Sequence, residues 1–177
     1  LSRGKHVLVE KPLLFSDAAN ARALRALAEQ RGAVWYTSYN HRLEPLVMAV
    51  KHLLDKQTVG KVYRARLFYG NGTVLNNVDT WREGGYGVLE DLGCHLMDLA
   101  DYLLGYQDPD FRLYQAATCE ATCFDHCLFS TMDNKVTLEC GWTTWKNTFS
   151  IDVFGSLGSV HLSGLCKWGQ SELIVRK

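Results

Sequence analysis

The chain has 177 residues, 47% of them hydrophobic and 21% charged, and its 19 basic and 19 acidic side chains cancel. That is enough chain and apolar content for one ordinary domain, or for one domain and part of another, with a core of its own. The charge balance argues against a nucleic-acid binder, which draws most of its affinity from phosphate neutralisation. No apolar run approaches the ~18 residues of a membrane span, and no apolar h-region at the start suggests a signal peptide. The chain begins at Leu1, as expected of a processed product or a piece of something longer.

In chain order, residues 4–12 (GKHVLVEKP) hold the apolar run Val7-Leu8-Val9 between Gly4 and Pro12, which predicts a short buried strand. Ser16 is placed to cap a helix over about 17–31, with Asp17 in its positive first turn and Leu24, Leu27 and Ala28 on its buried face. Gly32 suits the C′ position. Residues 33–39 (AVWYTSY) form a second strand, so strand, helix and strand together make the βαβ unit of a parallel sheet. Glu44-Pro45 opens a second helix, with Pro at the tolerated first position and Leu46, Val47, Val50, Leu53 and Leu54 at helical spacing. Residues 61–69 alternate like a half-buried strand, and a polar stretch over 70–88 includes Trp81-Arg82 and Gly84-Gly85-Tyr86-Gly87. A third helix is expected over about 89–104, ending at Gly105. Strand-like segments follow at 111–118, 126–132, 135–143, 148–155, 159–163 and 171–176, with turn signals at Asp133-Asn134 and Ser156-Leu157-Gly158. Successive hairpins of this kind build an antiparallel or mixed sheet with the third helix against it. There is no internal repeat and no low-complexity segment.

The six cysteines do not imply disulfides, because a chain this size with this apolar content needs no staples. Cys119, Cys123 and Cys127 sit four apart, which puts them on one face of a strand or helix, with His126 beside the last. Zinc sites draw paired ligands from two turns, and no second pair follows. The cysteines therefore read as small apolar residues of a reduced, cytoplasmic protein rather than metal ligands.

On the third helix Asp91, His95, Asp98 and Tyr102 share one stripe, and Leu92, Leu96, Leu99 and Leu103 share a parallel one. On spacing alone the polar stripe is either a solvated face or an acid/base array in which Asp91 or Asp98 orients His95. The glycines over 84–87 favour the array, since they let backbone or ligand approach the start of the helix closely. Glu10-Lys11-Pro12 follows the first strand directly, and Asn40-His41-Arg42 occupies the equivalent end of the second. In an open parallel sheet ligands bind outside these ends. A lysine there is a hydrogen-bond donor, a proton relay or simply a solvated side chain. No G-x-S-x-G elbow and no G-x-x-x-x-G-K-[ST] phosphate loop is present.

Taken together, GKHVLVEKPL at 4–13, YNHRLEP at 39–45, WREGGYGVLEDLGCHLMDLADYLLG at 81–105 and FGSLGSVHL at 154–162 resemble the Gfo/Idh/MocA family of NAD(P)-dependent oxidoreductases. The resemblance implies an α/β fold: the C-terminal remnant of a Rossmann parallel sheet over 1–58, then a substrate-binding and oligomerisation α/β domain with an open, mostly antiparallel sheet over 59–177. It implies hydride transfer between NAD or NADP and a sugar, sugar nucleotide or polyol. Lys11 corresponds to the family's E-K-P lysine, and Asp91 and His95 to its D-x-x-x-H, so Lys11 and His95 would flank the reacting hydroxyl or carbonyl. Glu10, Lys11, Asn40, Trp81 and Arg82 correspond to positions along the cofactor. His41 stands where many relatives carry Arg. The family's Gly-rich dinucleotide fingerprint is not in the sequence, so the chain reads as a fragment that is inactive alone.

Two other readings compete: a non-catalytic ligand-binding or oligomerisation module on the same fold, and a relative that uses NAD for redox-assisted glycoside cleavage. The alternating apolar residues Val136-Leu138-Cys140-Trp142 and Phe149-Ile151-Val153 suggest a bare sheet face, and hence a dimer or tetramer joined through the open face of the sheet.

Overall fold

The computed structural model describes residues 1–13, 18–106 and 111–177. They form two compact units, Leu1–Asn40 and His41–Lys177, so the division expected at 58/59 lies within the second.

The first unit is a βαβ element: β1 (Val7–Val9), α1 (Ala18–Gln30) and β2 (Trp35–Thr37). The two strands pair in parallel with Leu8 opposite Tyr36. Val7, Val9 and Trp35 face Leu24 and Leu27 of α1. Leu8, on the other face, is 69% exposed, so the strand expected to be buried has period two because the helix covers only one side of the pair. The cap expected at Ser16 and the first-turn Asp17 lie outside the described residues. Gly32 ends α1 as expected: with φ at +58° its N–H reaches the Glu29 carbonyl, and the Ala33 N–H reaches that of Ala28. That pair of bonds is a Schellman motif.

The second unit begins with α2 (Pro45–Asp55), where Pro45 costs nothing because the first helical N–H has no acceptor in any case. Strands β3 (Val62–Gly70), β4 (Phe111–Ala117), β5 (His126–Thr131), β6 (Val136–Gly141), β7 (Thr148–Gly155), β8 (Gly158–Ser163) and β9 (Glu172–Arg176) form one sheet in the order β4-β5-β6-β3-β7-β8-β9. Every neighbouring pair is antiparallel except β3 and β6, which run parallel with Tyr69 opposite Cys140. The third helix, α3 (Cys94–Leu104), is shorter than expected because Leu89–Gly93 form a π-helical turn before it.

The core lies between α2, α3 and one face of the sheet, and includes Val47, Val50, Leu67, Leu96, Leu99, Phe129, Leu138, Trp142 and Ile151. Each large apolar side chain moved out of water here contributes roughly 1.5–3 kcal/mol. This corrects the expected bare apolar face: Val136, Leu138, Cys140, Trp142, Phe149, Ile151 and Val153 are all buried in the core. The alternation belongs to the helix-covered side, and the other face mixes polar side chains with Phe68, Leu128, Phe154 and Ile174. There Ser159 Oγ meets His161 Nε2 at 2.9 Å, His161 Nδ1 meets Asp152 at 2.7 Å, and Arg66 donates to Asp152 at 3.3 Å.

The cysteines are also placed differently from expectation. Cys119 and Cys123 lie in the segment between β4 and β5 and only Cys127 is in a strand, so the three do not share one element's face. Cys127 pairs across the strands with Cys140, and both are buried. The Cys127 sulfur against it, together with burial, pushes the Cys140 thiol well above its ordinary value. No group of three or more potential ligands among the described residues could hold a metal. No helix among them is long and apolar enough to cross a membrane.

Candidate active site

In the second unit the candidate residues gather where the π-turn meets α3. Asp91 sits in the wide turn, 3% exposed, and the Trp142 indole N–H donates to its Oδ2 at 3.3 Å. Trp142 arrives there because it is the first residue beyond β6. Arg82 brings its Nε to 3.4 Å from the other carboxylate oxygen and lays its guanidinium over the Trp81 ring. A buried carboxylate is tolerable only with such compensation. The Arg82 segment is itself fixed: Thr80 Oγ1 accepts the Arg82 N–H at 3.2 Å, and Glu83 accepts the Thr122 N–H and hydroxyl. The Asp79 N–H, then the Thr122 hydroxyl and N–H, hold the Glu83 carboxyl below its ordinary value.

The glycines before the π-turn allow close approach of backbone. Gly87 has φ +57°, and a Cβ there would strike the Phe124 carbonyl oxygen and the Cys123 sulfur. The Val88 N–H bonds that same Phe124 carbonyl at 2.8 Å. The β4–β5 connection therefore packs directly on the start of the turn that carries Asp91.

One helical turn beyond Asp91, His95 is 5% exposed. The solvated-face reading of its stripe fails, because other elements cover it. His41, in a 3₁₀ turn over Asn40–Leu43, stacks on His95 with ring centroids 4.2 Å apart and 13° between planes. Arg42 beside it takes Asp98: its Nε lies 3.0 and 2.8 Å from the two oxygens, and Nη2 is 2.6 Å from Oδ1. Asp98 is thus paired with Arg42. Burial raises the Asp98 carboxyl above its ordinary value, against the opposing bond and charge of Arg42.

Tyr69, at the end of β3, completes the cluster. Its ring lies 5.2 Å from His41 and 6.0 Å from His95, with Phe149 edge-on at 5.6 Å. Lys167 Nζ donates to its hydroxyl at 3.2 Å, and Trp168 packs against its ring. Burial, first, and the nearby Asp91 charge push the phenol well above its ordinary range, so it stays protonated.

In the first unit, Glu10-Lys11-Pro12 and Tyr39-Asn40 leave the same edge of the parallel pair, where the Ser38 N–H bonds the Val9 carbonyl at 2.8 Å. Glu10 and Asn40 are exposed and Lys11 is half-buried. The structure thus groups Glu10, Lys11 and Asn40 at one strand edge in the first unit, and Trp81, Arg82, Asp91 and His95 in the second. Tyr69, Trp142 and Lys167 were not singled out from sequence. Tyr69 and Trp142 come together because β3 and β6 are parallel neighbours, a pairing that successive hairpins in the sequence do not announce.

Residues 47–161 match the model of the GFO/IDH/MocA C-terminal domain. Trans-1,2-dihydrobenzene-1,2-diol dehydrogenase of Oryctolagus cuniculus is 37% identical over 112 residues, 62% of this chain and 33% of that protein. Levoglucosan dehydrogenase of Pseudarthrobacter phenanthrenivorans is 28% identical over 113 residues, 58% of this chain and 27% of that protein. A solved levoglucosan dehydrogenase in complex with NADH and L-sorbose superposes with a TM-score of 0.75 at 18% identity, covering 97% of this chain and 55% of that one. The chain spans about half the length of the proteins it matches across its whole extent. With the domain model covering more than half of its residues, this chain belongs to the Gfo/Idh/MocA family.

Proposed function

We propose that the chain is part of an NAD- or NADP-dependent oxidoreductase that interconverts a hydroxyl and a carbonyl on a sugar, sugar nucleotide or polyol. Residues 1–58 are the last part of its dinucleotide-binding domain and 59–177 its substrate domain. The observation that carries this reading is Asp91, anchored by Arg82 and Trp142, one turn ahead of the buried His95. A carboxylate fixed one helical turn ahead of a buried imidazole supports general acid/base catalysis near neutral pH. Two relatives are named for a ring diol and for levoglucosan, and a solved neighbour holds NADH and a sugar, which supports the substrate class.

The carboxyl edge of the β1–β2 pair, with Glu10, Lys11 and Asn40 just beyond the strand ends, fits a dinucleotide, because ligands of parallel α/β sheets sit outside that edge. The nicotinamide, when bound, supplies the hydride acceptor or donor. The chain's own residues do the rest: Lys11 and His95 hold or release the hydroxyl proton, Asp91 fixes the imidazole, and Trp81 and Arg82 line the cofactor side. A second copy of the chain is the partner of the open sheet face, in a dimer or tetramer.

The test is the full-length protein with NAD or NADP and a panel of sugars, polyols and ring diols, followed by reduced-nicotinamide absorbance. Turnover is expected, and Lys11→Ala or His95→Ala should lower kcat by about 10²–10⁴-fold. Undiminished turnover in both variants removes these residues from the mechanism. Residues 1–177 alone should turn over none of these compounds, since the chain holds no Gly-rich pyrophosphate loop.

A further inference from the structure

Resting on that reading, we propose that Tyr69 is a further catalytic residue, whose hydroxyl donates a hydrogen bond to the reacting substrate oxygen and stabilises the negative charge that gathers there during hydride transfer. Its ring lies 6.0 Å from that of His95. The hydroxyl oxygen accepts the Lys167 ammonium at 3.2 Å, and among the described residues nothing accepts the hydroxyl's own hydrogen. Tyr69 is 3% exposed. A buried donor left unspent costs free energy, and native proteins rarely keep one without a use.

The phenol is held from several sides. In the sheet Tyr69 stands between Cys140 of β6 and Phe149 of β7. Phe149 meets its ring edge-on at 5.6 Å, Trp168 does so at 5.8 Å, and the His41 ring lies 5.2 Å away. Lys167 belongs to the 3₁₀ turn Cys166–Trp168 that follows β8. Glu44, at the start of α2, accepts the Cys166 N–H at 3.2 Å and so fixes that turn. With its ring packed and its oxygen bonded, the hydroxyl is left only the choice of where its hydrogen points. An ammonium on the oxygen also polarises the O–H and makes it a stronger donor. Burial, and then the Asp91 charge, keep the proton on the phenol. Tyr69 is thus a neutral donor that retains its proton, which is the property of an oxyanion-hole group rather than of an acid.

In the reductive direction the carbonyl carbon receives a hydride from the reduced nicotinamide, and the C=O π pair moves onto the oxygen. The Tyr69 O–H bonds that oxygen as its charge grows and keeps its own proton. The proton that completes the new hydroxyl comes from His95 or Lys11. In the oxidative direction the same bond steadies the alkoxide, after its proton has gone to the base and before its carbon gives up the hydride. A donor binds a charged oxygen more strongly than a neutral one. The bond therefore favours the transition state over bound substrate or product, and raises kcat more than it lowers KM.

The test uses the full-length protein with reduced nicotinamide and the carbonyl product of whichever compound it oxidises fastest, followed through a single turnover by absorbance. Tyr69→Phe keeps the ring and removes only the donor, so hydride transfer should slow by about 10²-fold with substrate affinity little changed. Tyr69 replaced by 3-fluorotyrosine keeps both ring and hydroxyl but has a more acidic, stronger-donating phenol, and should transfer hydride faster than wild type. Its fluorine NMR signal, read in a His95→Asn background where nothing turns over, should shift when the carbonyl compound is added. These two measurements carry the test by themselves if Tyr69→Phe does not fold. A wild-type rate in Tyr69→Phe, a loss confined to affinity or Tm, a rate that fluorination leaves unchanged, or an unmoved fluorine signal would each overturn the role of Tyr69. Full turnover in His95→Asn would instead overturn the catalytic reading itself, whereas an inactive His95→Asn beside an unimpaired Tyr69→Phe leaves that reading standing.

Discussion

Arg42 closes on Asp98 with two of its nitrogens, at distances of 2.6 to 3.0 Å, and so ties the turn after β2 to the middle of α3. The Asp98 side chain is 7% exposed and that of Arg42 28%. Removing one partner strands the other. Arg42→Ala is expected to destabilise the protein by roughly 3 kcal/mol, the low end for breaking a buried pair. Arg42→Met with Asp98→Leu should recover most of that loss. Equal losses in the single and double variants, read from urea unfolding, would show that the pair is not what holds the turn.

Trp142 and Arg82 both anchor the Asp91 carboxylate. Trp142→Phe removes one N–H and should cost about 1–1.5 kcal/mol of stability. It should also lower kcat several-fold, because Asp91 loses an anchor. Asp91→Asn keeps the shape and removes the charge, so its kcat should fall further than that of Trp142→Phe at similar KM. A kcat unchanged in Asp91→Asn would separate this aspartate from the chemistry.

Gly87→Ala combines an unfavourable backbone with a steric clash. The φ of +57° costs a non-glycine residue about 1 kcal/mol or more. The added methyl also presses on the Phe124 carbonyl and the Cys123 sulfur. The expected result is a lowered Tm and a raised KM, because the turn bearing Asp91 shifts. Gly32→Ala, with the same sign of φ but nothing within 4 Å of the added carbon, should lower Tm and leave KM alone.

Two carboxylates give stability–pH slopes of opposite sign. Burial raises the Asp98 pKa against Arg42, so its contribution is full below the ordinary carboxylate value of about 3.9 and is lost as pH rises through the raised value. At Asp133 burial also pushes upward, but bonds from Thr131 and from the Lys135 ammonium and N–H outweigh it and hold the carboxyl well below the ordinary range. Its contribution is present above about pH 3.9 and is lost as pH falls through the lowered value. Asp133 lies near the surface, so solvent screens part of this effect. Relative to wild type, Asp98→Asn should gain stability as pH rises from the acid range and Asp133→Asn should lose it. Parallel curves for the three proteins would contradict both assignments.

The open sheet face makes its own prediction. Arg66→Glu places two like charges beside each other at Asp152 and removes a cation from the surface assigned to a second copy. Sedimentation at micromolar concentration should shift from oligomer to monomer. An unchanged oligomer would move the interface elsewhere.

Local chemistry made most of the element pattern legible. Pro45, Gly32, Gly105 and the alternating runs mark helix and strand limits that the structure keeps within a few residues, because caps and side-chain periods are fixed by a handful of neighbours. The α3 stripe was legible too, including the placing of Asp91 and His95 a turn apart. Which partner each side chain meets was a different matter. Alternation along β6 and β7 shows that one face is apolar but not which side the helices cover, and the structure puts that face inside. Asp98 and Asp91 are equivalent by spacing, yet one meets Arg42 and the other Trp142 and Arg82. His41 meets His95 across 54 positions of sequence, and Tyr69 joins them only because β3 lies parallel to β6. Sequence periodicity decides which residues share a face. Only the packing of elements far apart in the chain decides what that face touches, because that choice depends on sheet order and strand direction rather than on any local preference.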